Sequence, residues 1–259
     1  MIRTAARLRA AHCAPIVGAC FVGDGRLSFH QGLALCVARG ATSVVIQPYV
    51  LEQTTTLAAT IDGLIATGRA MFPQLAMAGG RPIGAHPAIA DVIIQRAAEA
   101  DYRHAHVVVD AMPSAAARMQ REVYAERPHE QWRPLDQLCQ AGLLIVFDGE
   151  VPSQARASAI KAAVARQRRV AAIHISALDA APVALCELAR QQIGSIIAVP
   201  YTLRSDAAFT QTTRAAVAAA CADLPTLRHT VAAPLAYDRR VVAAIAAHVA
   251  EALRLVIIA

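Results

Sequence analysis

The sequence predicts an α/β fold: two tandem units, each a small parallel sheet flanked by helices, facing one another across a cleft. Three observations carry this expectation. Two apolar, β-branched runs, Ser43-Val44-Val45-Ile46-Gln47 and Ser195-Ile196-Ile197-Ala198-Val199, each stop at Pro-Tyr-x-Leu. Such a run reads as a strand buried on both faces, ended by a proline with no N–H to give the ladder. The two prolines lie 200 − 48 = 152 residues apart, and the same spacing pairs Pro73 with Pro225, Pro82 with Pro234 and Glu99 with Glu251. That regularity marks an internal duplication. Finally, strand-like and helix-like stretches alternate through both copies, the pattern of parallel strands joined by helical crossovers.

Taken in order, residues 1–12 have helical composition, and 16–22 read as a short buried strand before the tight turn Gly23-Asp24-Gly25. Residues 28–39 read as a helix closed by Gly40 as its C-cap. The first signature strand, 43–47, is followed by a polar loop, a helix to about residue 70, a strand at 74–79, and Pro82-Ile83-Gly84-Ala85-His86-Pro87 leading into a helix at 88–100. Residues 105–142 depart from the repeat: 106–109 could form an extra strand, and the polar stretch around Trp132 reads as an inter-repeat connection. The second copy opens on the apolar strand 143–147 and the turn Asp148-Gly149-Glu150. A helix (153–168), strand (170–176), helix (182–191), the second signature strand, helix (206–221), strand (227–232) and helix (239–253) complete it. The expected partition is therefore 1–104, first repeat; 105–142, connection; 143–259, second repeat. The first copy has no counterpart of the strand at 143–147, which would fall before residue 1. Either the true start lies upstream or that strand is lost, and then 107–109 or the apolar tail 255–258 is a candidate to fill the gap.

The bulk composition is apolar, 56% hydrophobic with mean hydropathy +0.40, but alanine carries much of it, which fits close helix–sheet packing and not disorder. The net charge of +6 is almost all arginine, since Lys161 is the only lysine. Arginine suits carboxylate and phosphate partners, but no basic run or reader motif points to nucleic acid. Six cysteines without a Cys-x-x-Cys pair argue against a zinc knuckle and for a reducing cytoplasm. The arginine-dotted first nine residues give no sign of a leader, and the apolar stretch 241–259 carries His248, Glu251 and Arg254, so no membrane span is expected.

The segment from Gly40 to Leu51, the segment Pro82-Ile83-Gly84-Ala85-His86-Pro87 and the Phe72-Pro73 between them resemble the sirohydrochlorin chelatase family, class II chelatases of tandem-repeat form. The second copy carries a weaker, in-register version at 195–203 and 234–238. The resemblance implies flavodoxin- or Rossmann-like chelatase units around a cleft. It implies insertion of Co²⁺ or Fe²⁺ into a polycarboxylate tetrapyrrole, in cobalamin or siroheme synthesis, with the divalent metal as substrate and no organic cofactor. A homodimer is one assembly open to such a protein. The alternative is a relative that keeps the fold and binds a tetrapyrrole or a partner without inserting metal.

The family's chemistry rests on two imidazoles, one after the opening strand and one past the signature strand. Here Asp148 stands at the first place in the second copy, and Thr56 and Ala208 fall at the other. Asp148 and Glu150 are the candidate base or metal ligand, with helix capping as their other reading. His86 is a candidate metal ligand together with Asp148, or else a helix-entry residue, and Asp238 is its counterpart. Tyr49 and Tyr201 could stack on a flat macrocycle or simply fill space, and Arg204, with Asp206, could meet its carboxylates. His104, His106 and His174 read as structural.

Overall fold

The computed structural model describes residues 2–22, 27–110, 140–204, 207–222, 224, 227–236 and 238–258, without the side chains of 85, 102–110 and 256–258. The Gly23-Asp24-Gly25 turn, Trp132 with most of the connection, Asp206 and Pro225 lie outside the described residues. The elements are α1 (Ile2–Ala10), α2 (Phe29–Ala38), β1 (Ser43–Ile46), α3 (Thr55–Met71), β2 (Ala76–Gly79), a 3₁₀ turn (Ile83–Ala85), α4 (Ala88–Asp110), β3 (Ala141–Phe147), α5 (Gln154–Gln167), β4 (Ala172–Ala177), α6 (Ala181–Arg190), β5 (Ser195–Tyr201), α7 (Ala207–Cys221), β6 (Arg228–Val231) and α8 (Arg239–Ile258). Helix starts are fixed by hydroxyl caps where the sequence supplies them. Ser28 forms a capping box with Gln31, Thr54 accepts the Leu57 N–H and Ser153 accepts the Arg156 N–H.

Among the described residues all strand pairs are parallel: one sheet has the order β1-β2, the other β4-β3-β5-β6. The duplication extends to the hydrogen-bond register. Ser43 pairs with Ala76 as Ser195 pairs with Arg228, and the match continues to Ile46 with Gly79 and Ala198 with Val231. The first residues of α1, α2 and α3 likewise stand 152 positions before those of α5, α6 and α7.

The chain forms two compact units. The first comprises residues 1–89 and 236–259, the second 90–235. In the second unit, β3 is buried along its whole length between β4 and β5, and Leu144, Val146, Ile196 and Ala198 pack with Leu185, Leu188, Phe209 and Val217. In the first unit the small core of Leu33, Leu75 and Met77 carries the two-stranded sheet, and α8 lies against β1, β2 and α1. The last helix of the second copy thus belongs to the first unit, and most of α4, the last helix of the first copy, belongs to the second.

Four expectations are corrected. Residues 16–22 form no strand beyond a single bridge of Phe21 with Ser28. Their counterpart β4 pairs only with β3, and among the described residues the first unit holds no counterpart of β3 to pair with. For the same reason β1 is half-buried throughout and not buried on both faces, whereas β5 is buried on nearly every residue. Residues 106–109 extend α4 and residues 255–258 extend α8, so neither supplies a strand. The valines and isoleucines there favour strands weakly, and adding turns to a helix already formed costs little.

Candidate functional site

In a sheet of order β4-β3-β5-β6 the chain leaves β3 toward one side and reaches β5 on the other, so the switch point lies between these two strands. Ligands of open α/β sheets bind at the carboxyl ends of strands flanking such a point. Phe147 and Tyr201 are register partners at those ends, and their rings lie 4.4 Å apart, tilted by 31°. Tyr201 is only 4% exposed. Its ring faces Phe147, so of its two readings the structure favours space-filling beneath the rim.

Above this pair the two chain segments emerge as loops. Asp148, Gly149 and Glu150 are exposed, and Gly149 has φ +107°, a conformation that favours glycine. The N-cap hydrogen bond of α5 comes from Ser153, whose hydroxyl accepts the Arg156 N–H. On the other strand the Thr202 hydroxyl accepts the Arg204 N–H at 3.1 Å, and the Thr202 carbonyl accepts the Leu235 N–H at 3.1 Å, which holds the base of the loop. Arg204 then directs its guanidinium to 3.9 Å from the Asp148 carboxylate, with both side chains substantially exposed. The geometry offers one carboxylate able to take a proton or a cation, beside a fork able to pair with an incoming carboxylate.

The first unit has a corresponding carboxyl edge at the ends of β1 and β2. Tyr49 is half-buried and its hydroxyl accepts the Thr4 hydroxyl at 3.2 Å. His86 uses Nδ1 to accept the Ala88 N–H at 3.2 Å, the helix-entry role, which leaves only Nε2 for any ligand. Its ring meets His248 edge-on, with centroids 5.5 Å apart. Because a carbonyl only accepts, the 3.2 Å contact of His248 Nδ1 with the Arg81 carbonyl fixes the proton on Nδ1. Burial of His248 pushes its pKa below the ordinary value, and the neighbouring His86 and Arg81 charges act in the same direction, against the Arg81 carbonyl and Glu251. Gln47 donates to the same Arg81 carbonyl at 2.8 Å and to the Pro48 carbonyl at 3.0 Å. Sequence reasoning missed Arg81, Gln47 and His248. The only signals available were that Gln47 ends the signature strand and that His248 stands 152 positions after Arg96.

Thr56 and Ala208 sit exposed at the second residue of α3 and α7, and neither brings an imidazole. Among the described residues no group of three or more His, Cys, Asp or Glu side chains could hold a metal ion. Asp148 and His86 lie in different units. No helix among the described residues is long and apolar enough to cross a membrane.

Residues 1–100 match the CbiX family model. None of the curated proteins matches the chain by sequence. Among solved structures, the chain is similar to SirB from Bacillus subtilis with Fe³⁺, with a TM-score of 0.72 at 16% identity over 97% of this chain and 87% of that one. It is similar also to the sirohydrochlorin chelatase SirB from Bacillus subtilis subspecies spizizenii in complex with cobalt, with a TM-score of 0.64 at 16% identity over 97% and 90% of the two chains. A multi-domain protein from Deinococcus radiodurans, with structural similarity to chelatases and two additional domains, matches with a TM-score of 0.61 at 17% identity, over 97% of this chain and 50% of its own. The chain thus carries the CbiX pattern over its first 100 residues and shares the fold of the SirB chelatases over nearly its whole length.

Proposed function

We propose that this protein inserts a divalent metal, Co²⁺ or Fe²⁺, into a polycarboxylate tetrapyrrole of the sirohydrochlorin class, in the cobalamin or siroheme branch. The observation that carries this reading is the Asp148–Arg204 couple at the switch point between β3 and β5, where the resemblance puts a metal-handling side chain. Metallation releases two protons from the ring nitrogens as the cation takes their place. Asp148 is the group to guide the cation in or accept a proton, with Glu150 two residues on as a second acceptor. Arg204 receives a substrate carboxylate in a bidentate pair and offsets the repulsion that Asp148 would exert on it. In the first unit, taken by itself, His86 keeps Nε2 for a metal or ligand, and Tyr49 lines that edge. The solved cobalt and iron complexes of SirB support a transition metal as substrate without deciding between the two.

The duplication supports the division into repeats 1–104 and 143–259 with 105–142 between them, and the free cysteines at 13, 20, 36, 186 and 221 fit a cytoplasmic protein.

A second reading is a relative that binds the macrocycle without metallating it. Thr56 and Ala208, where imidazoles are expected, favour it. Anaerobic absorbance titration with sirohydrochlorin, followed by Co²⁺ against a protein-free blank, separates the two. Metallation faster than the blank, lost in Asp148→Asn with binding retained, supports the enzyme. A binding shift without acceleration supports the carrier, and no shift at all excludes both.

A further inference from the structure

We infer that Arg81 is a carboxylate anchor for an acidic macrocycle, at the carboxyl edge of the first unit; this rests on the tetrapyrrole reading above. Arg81 follows β2 directly after Gly79 and Gly80, on the edge where ligands of parallel sheets bind. Its side chain is exposed, yet its main chain is held from several directions. Its carbonyl accepts both Gln47 Nε2 and His248 Nδ1, at 2.8 and 3.2 Å. Before it, Gly80 lies close against the Gln47 side chain, so that a Cβ there would displace the Gln47 amide, 2.1 Å away at Oε1. After it, Pro82 has φ −55° and the Ile83 N–H binds the Val50 carbonyl at 2.9 Å.

Such anchoring fixes where the guanidinium can reach, and preorganisation of this kind reduces the entropy lost when a ligand is bound. The fold itself does not require an arginine there. Ala233 occupies the equivalent place in the second copy, and that loop is still tied down, to α4, by Arg96 donating to the Pro234 carbonyl at 3.1 Å. The guanidinium's ion-pair partner is the Glu251 carboxylate, with side chains 63% and 51% exposed. A surface pair of this kind contributes little to stability. A substrate carboxylate can therefore take the place of Glu251 at small cost and engage both guanidinium arms.

The two members of the pair predict opposite effects, which separates ligand binding from a structural tether. Sirohydrochlorin binding is followed anaerobically by absorbance, with its methyl ester as the uncharged control. Arg81→Ala should weaken sirohydrochlorin about tenfold, as expected for a hydrogen-bonded charge pair, and should leave the ester unaffected. Arg81→Lys should recover only part of the loss, since it lacks the fork. Glu251→Ala, which frees the guanidinium, should bind as tightly as wild type or more so, with Tm unchanged in all three. Wild-type affinity in Arg81→Ala overturns the inference alone. So does parallel weakening and lowered Tm in Arg81→Ala and Glu251→Ala, which would mark a tether. Failure of the wild-type protein to bind would remove the tetrapyrrole reading and this inference with it.

Discussion

His86 and Asp238, 152 residues apart, make the same bond: His86 Nδ1 accepts the Ala88 N–H at 3.2 Å, and Asp238 Oδ1 accepts the Arg240 N–H at 2.9 Å. Each satisfies one of the first amides of a helix, which have no partner within it. An imidazole and a carboxylate can exchange here because the position asks only for a lone pair in the right place. Asp238 adds an ion pair to the Arg240 guanidinium at 2.8 Å, which the imidazole cannot. Loss of either cap should destabilise the protein by about 1 kcal/mol. Urea unfolding of His86→Ala and Asp238→Ala tests this, and Asp238→Ala should lose the more because its arginine pair goes too.

The ends of α2 and α6 show the same duplication where the residue types fit less well. Gly40 has φ +87°, with the Gly40 N–H on the Val37 carbonyl and the Ala41 N–H on the Cys36 carbonyl, a Schellman closure. At the equivalent place Gln192 has φ +58° and donates to the Ala189 carbonyl at 3.0 Å. A side chain in this conformation costs about 1 kcal/mol relative to glycine. Gln192→Gly should therefore raise stability by about that amount, while Gly40→Gln should lower it. A rise in urea midpoint for the first and a fall for the second, with the slopes unchanged, is the expected result.

Two histidines set a pH dependence of known sign. Burial lowers the pKa of His248; burial also lowers that of His174, helped by Lys161 and opposed by Glu187 at 3.5 Å. In each case the unfolded chain takes up a proton, near its ordinary value of 6.5, that the folded one refuses. Stability should therefore be full above that pH, fall as the pH drops through it, and level off below the folded value. His248→Gln keeps a donor for the Arg81 carbonyl but cannot titrate. The stability difference between neutral and mildly acidic buffer should shrink in this variant, and an unchanged difference would mean that His248 carries none of it.

The elements were legible wherever local pattern and global topology agreed. Both signature strands, the helices and the turn after β3 follow from apolar runs, hydroxyl caps and glycines, and the 152-residue spacing aligns them in register. Residues 16–22 have the composition of a strand, but among the described residues the strand they would pair with is absent. A strand is made by its neighbour as much as by its own residues. The site was legible in part for a related reason. Asp148 and Arg204 could be named from their places after strands, but the closeness of Phe147 and Tyr201 depends on the pairing of β3 with β5. The grip of His248 on Arg81 depends on α8 joining the first unit, which no local pattern announces, and that of Gln47 on the pairing of β1 with β2.

The open side of β1 gives the last prediction. The Ala76 and Gly80 N–H groups bind the Thr42 and Ile46 carbonyls, so residues 42, 44 and 46 face β2 and the Val45 amide faces the other way. Among the described residues no strand lies there. Ile197, the counterpart of Val45, turns its amide toward β3 in the interior of the four-stranded sheet. The two amides share sequence context and register, so a difference in their exchange isolates the missing neighbour. Hydrogen exchange should be orders of magnitude faster at Val45 than at Ile197, with Val44 between them. Equal protection would mean that something covers the β1 edge in solution, and the protected residues would identify how far that cover extends.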